Sequence, residues 1–287
     1  MKLDRDGRRR LFNWIVAGLC FLCVVAALIP LISIIYTAVD NGARVLSFNF
    51  LVAPISFGFC APGVSCYGGI GPALYATIVV VGLASAMALP AGILAGIYLS
   101  EYGKNPLGRS ISFFTDVMTG TPSIVVGLFV YAVFVYLEPR VVFSALTGSI
   151  ALAVIMVPIV TRATEEGLRL VPNALREGAY ALGIPRYRAV IQIVLSTGRG
   201  VVITGGVLAV MRASGEVAPL LLTAFWSDRG FTGITQPAGL LGPLIFMDAT
   251  APEPSLVAAA WGASLILILL LLGISLTARI VLRNRYK

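Results

Sequence analysis

Two ionisable residues, Arg212 and Glu216, interrupt the apolar run from Val201 to Phe225. Their separation of four residues puts both on one face of a helix. An arginine near a helix centre costs about 2.5 to 3.5 kcal/mol on insertion scales, so it is expected to face a cavity or a partner and not lipid. Its planar fork matches the oxygens of a carboxylate or a phosphate. Two readings stay open: a structural ion pair with Glu216, or charge offered to an anion while Glu216 holds the arginine in place or competes for it. Arg162, which follows Val157-Pro158-Ile159-Val160-Thr161 near the end of another apolar segment, is a second candidate. Anchoring at the membrane interface accounts for it equally well. A third feature is Thr119-Gly120-Thr121-Pro122-Ser123, where Pro122 frees backbone groups that hydroxyls can satisfy, so a kink is expected. Broken backbone of this kind, with Ser123 beside it, can also present N–H donors to an anion.

Other chemistries are excluded by what the chain lacks. There is no histidine, no Gly-Lys-Ser/Thr ending a glycine-rich phosphate loop and no Gly-x-Ser-x-Gly elbow. Covalent catalysis with a histidine base and nucleotide hydrolysis are therefore not expected of this chain, nor is a zinc or catalytic metal site. Cys20 and Cys23 lie in an apolar run and are read as packing residues. Cys60 and Cys66 fall in a Gly/Pro-rich loop from about 40 to 73, where a disulfide is possible in an oxidising compartment.

The elements that must position these residues are membrane helices. Hydrophobic residues make up 58% of 287, charged residues only 12%, and mean hydropathy is +0.94, too little charge to cover a soluble domain. Segments 12–38, 74–99, 113–137, 142–161, 200–224 and 255–280 are each long enough to cross about 30 Å of hydrocarbon, which predicts six transmembrane helices. The first, preceded by basic residues, runs far beyond a signal-peptide core and is read as an uncleaved span. Arginines and lysines concentrate at both termini and in the loops near 104–109 and 162–199, whereas only Arg44, Arg140 and Arg229 fall on the other side. The rich side is read as cytoplasmic, with both termini inside. The net charge of +8 follows from this bias and from anionic lipid, with no call for nucleic acid.

Between the fourth and fifth spans lies a charged stretch, residues 165–199. Pro172 suits a first helical turn, Leu175, Ala179 and Leu182 recur on one face, and Gly183 followed by Pro185 is a stop signal. A short helix over about 172–184 is predicted, with an apolar stripe suited to a groove on a partner or to the headgroup layer. Gly92 and Gly96 form a small-xxx-small pair for close helix packing.

Glu177-Gly178-Ala179, then Gly183, then Ile193-Val194-Leu195 resembles the cytoplasmic EAA loop of ABC-importer permeases, with Gly178 in place of the first Ala and Ser196 in place of the final Pro. Ala95-Gly96-Ile97-Tyr98-Leu99-Ser100-Glu101-Tyr102-Gly103, Pro122-Ser123-Ile124-Val125-Val126-Gly127 and Arg212-Ala213-Ser214-Gly215-Glu216-Val217-Ala218-Pro219 are similar to the phosphate-specific, PstA-type branch. The resemblance covers about residue 68 to the C-terminus. It implies an all-α integral membrane protein with the type I importer permease fold: a cytoplasmic segment 1–11, a first helix and external loop 12–67, a permease core 68–282 and a tail 283–287. It implies a permease in a bacterial inner membrane, not an enzyme, with no cofactor of its own and ATP and Mg on a separate ATPase. The implied partners are a PstC-type permease, a PstB-type ATPase dimer and an external phosphate-binding protein. Arg162 and Arg212 are the implied contacts for phosphate passage, and Glu216 and Ser123 join the expected substrate path on the residue reading above; Arg176, Glu177, Ala179, Leu182 and Gly183 are the expected ATPase contact. Sulfate or molybdate as substrate, an ATP-independent anion carrier, and a membrane scaffold subunit are the alternatives.

Overall fold

The computed structural model describes residues 5–54, 68–227 and 229–284, so the Cys60–Cys66 pairing lies outside the described residues. Among the described residues twelve α-helices account for most of the chain, and the β-structure is one isolated bridge between Phe231 and Ala238. Helix α1 (Arg5–Val45) runs along the outside with its apolar side chains exposed. It meets α12 (Pro254–Asn284) near Gly42, where an added Cβ would lie 2.8 Å from the carbonyl oxygen of Trp261. The short α2 (Phe48–Val52) is capped by Ser47, whose hydroxyl accepts from the Phe50 amide at 3.1 Å.

The centre of the bundle is the pair α3 (Gly71–Tyr102) and α6 (Ala145–Arg169), which share the most extensive contact in the molecule. Small residues make the approach possible. A Cβ on Gly92 would meet Val160 at 2.7 Å and one on Gly96 would meet Thr164 at 2.5 Å, so both glycines seat α3 directly on α6. The ascending order of these contacts shows the two helices to be parallel. Helix α9 (Leu195–Ser214) packs antiparallel on the next face of α6 through Gly198, Gly205 and Gly167, against Leu168, Ala163 and Val201 respectively. Ala76, Val80, Ala84, Leu152, Met156 and Ala209 fill the space between the three helices.

Among the described residues five helices are long and apolar enough to span a membrane, and a sixth span results if one bent pair is joined. That pair corrects the single span expected over 113–137. Helix α4 (Pro106–Gly120) and helix α5 (Ser123–Leu137) meet at 110°, not at a mild kink. Pro122 supplies no N–H and forces Thr121 into extended backbone, ψ 130°. Each half has 15 residues, about 22 Å of helix, too short to cross alone. The fourth span runs deeper than 142–161, since α6 continues to Arg169.

The fifth span also differs from 200–224. It begins at Arg186 as α8 (Arg186–Ala189), passes through a π-turn over Val190–Val194 into α9 and stops at Ser214. Gly215 and Glu216 leave the helix, and α10 (Ala218–Thr223) restarts with Pro219 in its first turn. Helix α7 (Asn173–Ala181) lies in the loop between α6 and α8. Pro172 stands just before it with φ −57° and ψ 136°, outside the helix instead of in its first turn. Gly183 adopts φ +72°, and the amides of Gly183 and Ile184 bond the carbonyls of Tyr180 and Ala179, a left-handed stop. At the opposite end of the bundle α11 (Leu241–Ala249) is tied to α3 by the Leu241 amide, which donates to Thr77 Oγ1 at 2.9 Å.

Candidate functional site

Arg212 sits in the last turn of α9, not at the middle of a span, and Glu216 lies beyond the helix end. The two remain in register: Nε of Arg212 is 3.8 Å from Oε1 of Glu216, longer than a hydrogen bond. The arginine side chain is 63% exposed, whereas Glu216 is largely covered at 16%. A loosely held guanidinium aimed out of its own subunit has donors left for an oxyanion, so the pair is not a closed structural bridge. Ser123 opens α5 directly after the break; it is half-buried and its hydroxyl bonds no side chain or carbonyl among the described residues. One turn on, Gly127 lets α5 close onto α10, with an added Cβ 2.6 Å from Cα of Pro219. That contact holds the broken helix beside the segment that follows Glu216.

Arg162 is in the opposite condition. Its Nη1 donates to Oε2 of Glu165 at 2.6 Å, and its Nη2 donates to Oγ of Ser112 at 2.9 Å, to the Ser112 carbonyl at 3.2 Å and to Asp116 Oδ1. Glu165 is only 3% exposed and is shared with Arg169, 2.6 Å from its other oxygen. Two carboxylates and two guanidinium groups thus form a neutral chain joining α4 to α6. This arginine is a structural link between two helices. Asp116, at 65% exposure, is its outermost and most replaceable partner.

Arg162 and Arg212 are not brought together. Gly205 of α9 packs at the level of Ala163, so Arg212, seven residues further on, stands about 10 Å along the bundle axis from Arg162.

On α7 the adjacent residues Arg176 and Glu177 point in opposite senses. Glu177 is exposed and without an ion pair among the described residues, Ala179 is buried against the π-turn, and Leu182 is 81% exposed beside exposed Leu175. Gly178 faces open space, so the alanine of the EAA pattern would fit there without a shift. Arg176 turns inward and carries no free donor face. Its Nε and Nη2 donate to Oε1 of Glu101 at 3.1 and 2.9 Å. Its Nη2 also donates to the Leu168 carbonyl at 2.9 Å, and its Nη1 donates to the Val171 carbonyl at 2.6 Å and to Asn173 Oδ1 at 3.3 Å. A cleft of about 700 Å³ opens beside this contact, with Lys104, Arg169, Arg176 and Arg186 on its walls. Two of those cations are already neutralised by Glu165 and Glu101, which argues against reading it as an anion site.

Asp116 and Glu101 escape a sequence reading because each is defined by a partner on another helix, whereas Glu165 pairs with Arg162 and Arg169 of its own helix at three- and four-residue spacing. For Glu101 the available signal was its place at the end of an apolar run, with no aspartate or glutamate earlier in that helix. Among the described residues no group of three or more His, Cys, Asp or Glu could hold a metal.

Residues 88–285 match the family described as binding-protein-dependent transport system inner membrane component. A phosphate transport system permease protein PstA from Pasteurella multocida is 34% identical over 280 residues, covering 97% of each chain. A protein of the same name from Yersinia pestis is 36% identical over 278 residues, covering 96% of this chain and 92% of its own. In three dimensions the chain resembles the permease fold of the MetNI methionine ABC transporter in an inward-facing form. The TM-score is 0.57 at 17% identity, over 75% of this chain and 94% of that one.

Proposed function

Because the chain belongs to the binding-protein-dependent inner-membrane transport components, and within them to the PstA-type phosphate permeases, we propose that Arg212 is its phosphate contact. It is a transmembrane permease subunit of an ATP-driven ABC importer for inorganic phosphate, and it transports without being the ATPase. The observation that carries the site assignment is the exposed, loosely paired guanidinium of Arg212 at the end of α9, facing out of its own subunit. A second permease, of PstC type, closes the path on that face. Phosphate carries about −1.5 to −2 charges near neutral pH, and one arginine with residual donors lowers the cost of its dehydration without trapping it. Glu216 limits the dwell time by competing for the same donors.

Arg162, about 10 Å further along the axis, receives phosphate only by giving up Asp116. Ser123 and the opened backbone beside it border the path between α5 and α10. The end bearing α7 is cytoplasmic, both termini lie on that side, and the membrane is the bacterial inner membrane. Exposed Glu177 and Leu182 meet a PstB-type ATPase dimer, which binds ATP and Mg; Ala179 and Gly183 shape the helix that presents them. An external phosphate-binding protein delivers substrate to the opposite face.

Uptake of radiolabelled phosphate into proteoliposomes containing all four components tests this. Arg212→Ala is expected to abolish ATP-dependent uptake while the ATPase still co-purifies, whereas Glu177→Ala is expected to lose both. Uptake that persists without ATP would replace the importer with a carrier. Equal uptake of sulfate or molybdate would reassign the oxyanion.

A further inference from the structure

We propose that the buried Glu101–Arg176 pair is a positioning clamp that fixes the coupling helix α7 to the ends of α3 and α6, so that load on α7 reaches the arginine-bearing helices. The inference rests on the importer reading above. Both side chains are covered, Glu101 at 4% and Arg176 at 13% exposure, with Nη2 to Oε1 at 2.9 Å. Arg176 makes five hydrogen bonds, to Glu101, to the carbonyls of Leu168 and Val171 and to Asn173, which matches its five donors. The Leu168 carbonyl is in the C-terminal turn of α6, at the negative end of the helix dipole, and the Val171 carbonyl lies two residues past the end of that helix. One guanidinium therefore joins three elements: α7 that bears it, α6 that it caps and α3 that neutralises it.

A second tie runs to the same place. Arg186, at the start of α8, donates to the Glu101 carbonyl and stacks 4.3 Å over the ring of Tyr102. The loop from α6 to α9 is thus pinned to the tip of α3 from within α7 and again just after it. Successive helical residues point about 100° apart, so exposed Glu177 and inward Arg176 are neighbours with opposite duties. From Glu101 the path continues through α3 to Gly92 and Gly96, where the absence of side chains seats α3 on Val160 and Thr164, the residues on either side of Arg162. A buried salt bridge is weak evidence of stability but does fix geometry.

The test compares wild type, Glu101→Gln, Arg176→Gln and the double variant Glu101→Gln/Arg176→Gln in the complete transporter in proteoliposomes. Complex recovery, basal ATPase and phosphate imported per ATP are read together. Removing one partner leaves a buried unpaired charge, so a single variant can fail to assemble, whereas the double variant leaves none. The double variant is expected to assemble and hydrolyse ATP at the wild-type basal rate while importing about tenfold less phosphate per ATP, the scale of one lost charge-assisted bond. Losses that multiply between the singles, instead of saturating in the double, would show that the residues do not act as a pair. A double variant that imports as much per ATP as wild type overturns the clamp, and one that does not assemble assigns the pair to folding and overturns it too. Wild type without ATP-dependent uptake would instead remove the importer reading, leaving the two failures distinguishable.

Discussion

At the scale of single residues, the two arginines differ by what already holds them. Arg162 is tied to two carboxylates and to Ser112, whereas Arg212 is only loosely paired, so substitutions around them are expected to act differently. Asp116→Asn removes the outermost charge from Arg162, and phosphate then binds there with one less competitor. Transport assays are expected to show a lower half-saturation concentration together with a maximal rate reduced about tenfold, since a charge-assisted bond is worth about 1.5 to 3 kcal/mol. An unchanged rate would place Arg162 outside the path. Asp248, in α11 and outside the candidate spans, has no side-chain partner among the described residues, and burial pushes its carboxyl up to about 6. The folded state then holds a proton that the unfolded chain releases near pH 4, so stability falls as pH rises from about 4 to about 6 and stays lowered above that. Thermal unfolding is expected to show Asp248→Asn stabilised over wild type at pH 7.5 and indistinguishable from it at pH 4.

At the scale of elements, glycines decide which helices can touch. Gly96 and Gly178 make a controlled comparison, because one meets Thr164 at 2.5 Å and the other meets nothing within 4 Å. Gly96→Ala is expected to lower stability by about 1 to 3 kcal/mol through overpacking against α6. Gly178→Ala, on an exposed helix, is expected to raise it by about 0.5 to 1 kcal/mol by restricting the unfolded chain. Equal midpoints for the two variants in a denaturation series would contradict the close crossing of α3 and α6. The 110° break between α4 and α5 belongs at this scale too, since it converts one expected span into two half-length helices. Their exposed Phe113, Phe114, Val117, Leu128 and Phe129 offer an apolar face to lipid or to a second permease.

At the scale of the whole molecule, charge distribution sets the orientation. A membrane-impermeant thiol reagent, applied to cells carrying single cysteines in a cysteine-free background, is expected to label Gln236→Cys directly. Glu177→Cys is expected to label only after the membrane is opened. The reverse pattern would invert the topology and with it the assignment of α7 to the cytoplasmic side. The exposed apolar flank of α1 leaves the isolated chain in need of lipid or partner contact along that helix.

The broad plan is legible from the residues alone, because length, hydropathy and basic bias are additive along the chain and need no knowledge of contacts. Six apolar segments, the helix stop at Gly183 and the two membrane arginines were all legible in this way. Local chemistry also signalled the break at Pro122, since a proline acts on its own turn, although its 110° angle depends on how α5 packs against α10. Tertiary structure alone decided which charges are free. Arg212 and Arg162 look alike as buried-segment arginines, and Arg176 looks like one more basic loop residue. Only folding brings Asp116 to Arg162, 46 residues away in α4, and Glu101 to Arg176, 75 residues away at the tip of α3, leaving Arg212 loosely held. The physical reason is that an arginine's availability depends on the oxygens within about 3 Å of it, and those arrive from helices that periodicity can identify but cannot pair.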